Sequence, residues 1–454
     1  MSKRKSVSNH WASAVAVVCA IHAVGFASAV ADSLVLEPLG ASVDLKAAIQ
    51  AAVSNNLELK KLELGTESSN SNEFEALSEH LPKLALRGTH YLGAKYSAIT
   101  IKQSNSQMPS AYPQSTLDFE ASILLFDGLS SLNRYRAATA ETEAAMLELK
   151  YAKFRIEKAV QIKFYQALAA QEFSKVTEQN IETLEQHLKL IRVSQTAGFS
   201  TKVDVLRIES QLEEARAERM LAADQVAVAR LALFEIMGSE GETRPLAGSL
   251  PVPDQKKFSE KFSFSLASAL ASRDDLKALS LREKASDRLA AAATGGWYPR
   301  ISLFGIEQLY KYGDFSDAIL ANDSFQTAHS FGLRLNWSLF DGAVLAKQAR
   351  AANQVKQVAL GLKAQEVRSE IEFETFKRQY LTNAALVIAR NRSIQRSEES
   401  VRLATEAVKA GTKTHSEVLD AELELFRARA GVVKAQADAA FALANLELAV
   451  GHGL

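Results

Sequence analysis

The sequence predicts a mainly α-helical fold with a membrane β-barrel portion, and three observations lead to that class. The 454-residue chain has only 8 prolines, and residues 114–244 and 300–454 contain none. Such stretches favour long helices, since turns usually bring in proline and glycine. The second observation is an internal duplication. The third is a set of short segments in which apolar and polar residues alternate, as they do in strands.

The charge balance and the motif content exclude several classes of function. The chain has 53 Lys+Arg and 53 Asp+Glu, a formal net charge of +0 at pH 7. Because no basic surplus is present to hold a phosphate backbone, we expect no nucleic-acid partner. The eight histidines are scattered without metal-ligand spacing, and no nucleotide-binding loop or nucleophile motif occurs. We therefore expect no metal, no cofactor and no enzymatic activity.

Residues 1–31 have the pattern of a signal peptide. The basic segment Lys3-Arg4-Lys5 precedes an apolar run over residues 11–26, and Ala29-Val30-Ala31 supplies the small residues of a cleavage site. A transmembrane anchor is the alternative, which the shortness of the apolar run disfavours. The only cysteine, Cys19, lies inside this run. The mature chain would then have no disulfide and no thiol chemistry.

The remaining sequence contains an internal duplication, with one copy over residues 32–244 and the other over residues 245–454. Five matches occur in the same order in both copies, with a nearly constant offset, and chance does not produce such a series. The matching segments are Asn56–Lys60 with Arg273–Lys277, Leu81–Leu84 with Tyr298–Ile301, Leu125–Gly128 with Leu339–Gly342, Ala197–Gly198 with Ala410–Gly411, and Gly238 with Gly451.

Each copy predicts a helix, a β-hairpin, a long helix and a second helix. Apolar residues at three- and four-residue spacing indicate the helices. The predicted elements are a helix over 44–80, a hairpin over about 83–126 and helices over 129–197 and 201–238, then a helix, a hairpin over about 299–340 and helices over 343–410 and 415–450. The two shorter helices together slightly exceed the length of the long one. Two of them stacked end to end would therefore cover it.

The turns between hairpins and long helices contain a repeated Phe-Asp-Gly. Asp127-Gly128 and Asp341-Gly342 precede the two long helices. A carboxylate at this position accepts hydrogen bonds from free backbone N–H groups of the first helical turn. We expect both aspartates to be structural caps.

The predicted strands suit a membrane. Apolar residues alternate with polar ones at Leu117, Phe119, Ala121, Ile123 and Leu125, and again at Phe331, Leu333, Leu335, Trp337 and Leu339. Strands of about ten residues with one apolar face are typical of outer-membrane barrels, although a soluble sandwich or hairpin packed on helices is the alternative. Four strands cannot close a barrel, and open edges are costly in lipid. If the strands span a membrane, several chains must share one barrel.

With the duplicated Leu-Phe-Asp-Gly and the segment Gly411–Ala421, the sequence resembles the TolC-type outer-membrane factor family over nearly the whole mature chain. The resemblance implies a homotrimer with a twelve-stranded barrel, four strands per chain, continued by a helical tunnel through the periplasm of a Gram-negative bacterium. It implies three further partners: a periplasmic adaptor protein, an inner-membrane transporter and outer-membrane lipid. The function would be passive export in a tripartite efflux system or in type I protein secretion, with a slight preference for efflux. A soluble periplasmic coiled-coil scaffold is the rival class.

The resemblance places the periplasmic tip at the turns after Gly198 and Gly411. Asp420 and Glu417 are the candidate constriction residues, because carboxylates around a narrow opening attract cations. Glu417 and Asp204 also fit capping boxes that begin at Thr414 and Thr201.

By resemblance, Lys413 could pair with Asp204 and hold the tip closed. The family has Arg at the position of Lys413 and Tyr at the position of Val408. The lysine lacks the bidentate fork of arginine, so this latch would be weaker.

Overall fold

The computed structural model describes residues 42–92, 97–101, 106–110, 113, 115–198, 200–239, 244–253, 270–311 and 325–453. The expected signal peptide, residues 1–31, lies outside the described residues. The described part confirms the mainly helical class with a four-stranded antiparallel sheet.

The described part of each copy begins with short helical structure and continues with strands, a long helix and a second helix, although the first copy has more described elements. The first copy contains α1 (Leu45–Asn55), α2 (Leu57–Ser78), β1 (Lys83–His90), β2 (Ser97–Ile101), β3 (Ser106–Ser110), β4 (Ser115–Phe126), α3 (Ser130–Thr196) and α4 (Lys202–Met237). The second contains α5 (Asp274–Thr294), a 3₁₀ turn (Gly295–Trp297), β5 (Arg300–Lys311), β6 (Gln326–Asn336), α6 (Gly342–Lys409) and α7 (His415–Val450). The helix α3 has 67 residues, a length of roughly 100 Å at about 1.5 Å per residue.

The predicted helix over residues 44–80 is wrong in one respect, because it breaks at Asn56. Asn56 has an extended backbone, with ψ at 121°, and its side-chain Oδ1 accepts hydrogen bonds from the N–H groups of Glu58 and Leu59. An asparagine that caps the following helix ends the preceding one. The break therefore separates α1 from α2.

Two other predicted bounds also change. The connection between β1 and β4 contains the short hairpin β2–β3, which the alternation did not indicate. At the other hairpin, β6 ends at Asn336, so Trp337 and Leu339 lie beyond the strand. The Trp337 indole donates a hydrogen bond to the carbonyl of Trp297 instead of continuing the pleat.

The short helices meet end to end, as their lengths predict. The Asn56 side-chain amide donates to the carbonyl of Ile236 at the end of α4, at 3.2 Å. In the second copy, the buried Arg273 guanidinium donates to the carbonyl of Ala449 near the end of α7, at 3.3 Å. The side chain at the start of one helix thus satisfies a free carbonyl at the end of another. Two composite columns, α4 with α2 and α7 with α5, lie beside the continuous helices α3 and α6.

The order of strands in the sheet is β1-β4-β5-β6, which places the boundary between the copies at its centre. All three pairings in this sheet are antiparallel, and among the described strands β1 and β6 form its open edges. Facing residues in the ladders share a side of the sheet. One side carries the apolar residues Leu84, Leu86, Leu117, Phe119, Ile123, Leu303, Phe331, Leu333 and Leu335, interrupted by Glu307 and His329. The other side is mainly polar.

Alanine dominates the buried positions of α7, which packs against both α6 and α3. Eight of its alanines are buried: Ala428, Ala435, Ala437, Ala439, Ala440, Ala442, Ala444 and Ala449. Small side chains let neighbouring helix backbones approach closely, and larger residues such as Phe373 and Tyr380 of α6 fill the remaining space. Within the described residues, no helix contains an apolar stretch sufficient to cross a membrane.

Candidate functional site at the helical tip

Two glycine turns form the candidate site, one between each long helix and the helix that follows it. Gly198 has φ at +80° and Gly411 has φ at +71°, a region that side chains with a Cβ rarely occupy. No atom would lie within 4 Å of a Cβ added at either glycine. Backbone conformation, rather than lack of space, therefore favours glycine at both turns.

The first turn leads into α4 through a complete capping box. The Asp204 N–H donates to Thr201 Oγ1 at 3.3 Å, while Asp204 Oδ2 accepts from the Thr201 N–H at 2.8 Å. The Thr201 hydroxyl also donates to Asp204 Oδ2, at 2.7 Å. The hydrogen bonds from the side chain and the backbone of Thr201 lower the pKa of Asp204, because they favour the ionised carboxylate. The structure thus uses Asp204 as a cap.

The second turn contains no such box, so the capping prediction for Glu417 is wrong. Thr414 is the N-cap residue of α7 but makes no side-chain capping bond. Glu417 Oε2 lies 2.6 Å from Lys413 Nζ, and both side chains are about half exposed. The expected pair between Lys413 and Asp204 is not formed in this chain, since each side chain takes a partner in its own turn.

Asp420 lies one turn further along α7 and is exposed. Its side chain makes no hydrogen bond or ion pair with any described residue. The two residues before it are buried, Val418 at 2% and Leu419 at 3% exposure. The buried neighbours fix the helix face that Asp420 presents, and its side chain is accessible to an outside partner.

Three contacts hold this part of α7 against α3 and α4. Arg207 of α4 donates a hydrogen bond to Ser416 Oγ. Leu419 is buried in a cluster with leucines and isoleucines of α3 and α4. His187 Nε2 of α3 lies 2.5 Å from Glu422 Oε1, and both side chains are largely buried. The positions 416, 419 and 422 recur at three-residue spacing, so they lie along one stripe of the helix.

The sequence indicated one of these contact residues and missed the others. Arg207 occupies the position equivalent to Asp420 in the first copy, and this correspondence is a signal that the sequence itself contains. Nothing in the sequence indicated the pair of His187 with Glu422, because the residues are far apart along the chain and belong to no motif. Only the packing of α7 on α3 brings them together.

The Phe-Asp-Gly aspartates lie at the sheet end of the helices rather than at the tip. Asp127 accepts a hydrogen bond from the Ser131 N–H at 2.9 Å, and Asp341 accepts from the Ala343 N–H at 2.8 Å. Both act within the first turn of a long helix. The structure therefore separates the predicted residues into a group at the sheet and a group at the tip. In the described ranges, no group of three or more His, Cys, Asp or Glu side chains could hold a metal ion.

Comparison with known proteins agrees with this arrangement. A family model described as "Outer membrane efflux protein" matches residues 48–239 and 266–452. Outer membrane protein TolC of Vibrio cholerae is 26% identical over 338 residues, which cover 69% of this chain and 72% of that protein. Outer membrane protein OprJ of Pseudomonas aeruginosa is 23% identical over 434 residues, covering 93% of this chain and 87% of that protein.

Solved structures have the same fold. The CmeC outer membrane channel of Campylobacter jejuni superimposes with a TM-score of 0.75, at 14% identity, and the match covers 90% of this chain and 86% of that chain. At this level of identity, the likeness concerns the fold alone.

Proposed function

Because the chain belongs to the outer membrane efflux protein family, we propose that it is the exit duct of a tripartite export system. It is an outer-membrane protein of the channel class that extends into the periplasm. In the proposed system, three copies form the duct. A periplasmic adaptor connects the duct to an inner-membrane transporter, and small molecules pass through it passively.

The observation that carries the proposal is a four-stranded sheet with one apolar face and two open edges. No described strand pairs with the outer edges of β1 and β6, so the backbone N–H and C=O groups along those edges have no ladder partner among the described residues. Lipid offers no hydrogen bonds to these groups, so a sheet in a membrane must close on itself. Pairing β6 of one copy with β1 of the next would satisfy them, and three copies would supply twelve strands.

The helices supply a second argument for assembly. The helix α4 exposes a series of large apolar side chains: Val203 at 72%, Leu206 at 53%, Met220 at 69%, Leu221 at 65%, Val228 at 57% and Leu231 at 66%. An exposed apolar series on this scale usually marks a protein interface. Contact with a neighbouring copy would cover it and continue the barrel into a helical tunnel.

The mass of the protein extracted from outer membranes tests the assembly. We expect a detergent-dependent species of three chains. A soluble monomer or dimer would contradict the proposal and favour the rival class, a soluble periplasmic coiled-coil scaffold. The choice between efflux and type I secretion needs a deletion strain. Increased sensitivity to toxic small molecules supports efflux, whereas loss of a secreted protein supports secretion.

At the tip, we propose that Asp420 and Glu417 form the constriction and favour cations. Lys413 neutralises Glu417 in this chain, so Asp420 carries the larger share of the effect. We expect Asp420→Ala to reduce cation preference in single-channel reversal potentials, and Asp420→Ala with Glu417→Ala to reduce it further. Lys413→Ala should raise it by freeing Glu417.

The matched control for these tip variants is Glu213→Ala. Glu213 is an exposed glutamate of α4 that pairs with Arg216, away from the tip. Its removal should leave the reversal potential unchanged. Unchanged potentials in the Asp420 variants would remove this residue from the constriction.

A further inference from the structure

The polar face of the sheet carries an excess of positive charge. The ladders place four cationic residues on this face, namely Lys83, Arg87, Arg300 and Arg334. The acidic residues on the same face are Asp118 and Glu120. Among the described strand residues, this face therefore has a formal surplus of two positive charges per chain.

The pairing of these groups shows which charges stay available. Arg334 Nη1 lies 3.1 Å from Glu120 Oε1, and the Arg334 guanidinium lies 4.5 Å from the centre of the Phe304 ring. Asp118 accepts a hydrogen bond from the neutral Gln308 amide at 2.7 Å. Both acidic side chains are therefore engaged by neighbours on the same face.

Three of the four cations, Lys83, Arg87 and Arg300, are exposed and have no ion pair with a described residue, and of these only Arg87 lies inside a strand rather than at its first residue. Arg87 forms no ion pair even with Asp118, its neighbour in the ladder. Its strand, β1, is an open edge. The strand that a second copy would add there, β6, contains no acidic residue over Gln326–Asn336. Closure of the barrel by β6 would therefore leave the charge of Arg87 uncompensated by that strand.

The position of the apolar face indicates that these charged side chains line the interior of the barrel. In a membrane barrel, the apolar side meets lipid and the polar side lines the interior. Charges on the wall of a narrow aqueous passage act strongly on ions, because the surrounding low-dielectric material concentrates their field.

We propose that the barrel interior attracts anions and that Arg87 is its principal selectivity-determining residue. This inference rests on the proposed export duct and adds a second element to it. The duct contains two segments of opposite charge in series, an acidic constriction at the helical tip and a basic passage in the barrel. Such a passage favours small solutes that carry a carboxylate or phosphate group at the exit end.

Reversal potentials in planar bilayers under a KCl gradient test the inference, with the full-length protein and its Arg87→Gln and Arg87→Glu variants. We expect both to shift the potential toward cation preference, Arg87→Glu more than Arg87→Gln. Arg87→Lys should restore the wild-type value, because it keeps the charge. Asp118→Asn should shift the potential in the opposite direction. All these shifts should shrink at high salt, where wall charges are screened.

The control is Glu307→Gln, a change of charge on the apolar face of β5. It should leave the reversal potential unchanged. If the Arg87 variants conduct with wild-type potentials while Asp420→Ala still shifts them, the inference is overturned and the duct stands. Wild-type protein that forms no conducting species at all would instead contradict the proposed function.

Discussion

Thr201 and Thr414 occupy equivalent positions at the two tip turns but behave differently. Thr201 shares a full capping box with Asp204, whereas Thr414 makes no side-chain capping bond. The sequence pattern is the same at both, so it predicts two boxes. The difference comes from Lys413, which lies four residues before Glu417. The residue four positions before Asp204 carries no positive charge. The Lys413 ammonium pairs with the Glu417 carboxylate, which would otherwise complete the second capping box.

This difference predicts unequal effects of removing the two hydroxyls. Thr201→Ala removes a capping bond, which costs about 1 kcal/mol. Hydrogen exchange of the first-turn amides of α4 should accelerate about fivefold. Thr414→Ala is the matched control and should leave exchange at the start of α7 nearly unchanged. Equal acceleration in the two variants would contradict the bonding described at these turns.

At the scale of elements, periodicity predicted the long helices but could not locate the break at Asn56. Apolar spacing is almost the same on both sides of it, and a single asparagine costs little inside a helix. The break combines a local cap with a tertiary contact, because Asn56 Oδ1 caps α2 while the amide of the same side chain donates to Ile236 at the end of α4. In the second copy, Arg273 has the equivalent place and contacts Ala449. In both copies a side chain at the start of one short helix therefore donates to a carbonyl at the end of another, although the two side chains differ.

The turns with left-handed glycines predict a second contrast. At Gly128, with φ at +69°, an added Cβ would lie 2.8 Å from the Tyr298 Cβ and 2.9 Å from the carbonyl oxygen of Gly295. Gly128→Ala therefore adds overpacking to backbone strain and should cost about 3 kcal/mol. Gly411→Ala meets open space, so it should cost about 1 kcal/mol from strain alone.

Thermal dissociation of the purified assembly in detergent measures this contrast. We expect the midpoint of Gly128→Ala to fall clearly below that of Gly411→Ala. The reverse order would mean that the junction between sheet and helix is less tightly packed than the distances indicate.

At the scale of the whole molecule, the sequence predicted which strand residues share a face but could not predict the order of the strands. Alternation is a local property, and it identified Leu117, Phe119, Phe331 and Leu333 as apolar positions. The central pairing of β4 with β5 joins the two copies, and no local pattern records it. The same holds for the pair of His187 with Glu422 at the tip.

Neighbouring residues of β6 test the assignment of the two faces. Phe331 lies on the apolar face and Ser330 on the polar face. An arginine facing lipid near the membrane centre costs about 2–4 kcal/mol, whereas one facing the interior is tolerated. Phe331→Arg should therefore lower the yield of assembled protein in outer membranes. Ser330→Arg should assemble normally, and equal loss in both variants would contradict the two-faced sheet.

The central strand pair also has a consequence for the time course of biosynthesis. β4 and β5 are neighbours in the sheet, but residues 127–299 separate them along the chain. Contacts between distant residues form slowly, because a large loop must close before they are made. The pairs α3–α4 and α6–α7 need only a short turn and are free of this delay. Pulsed hydrogen exchange on newly exported chains should find protected helices while the β4 and β5 amides still exchange freely.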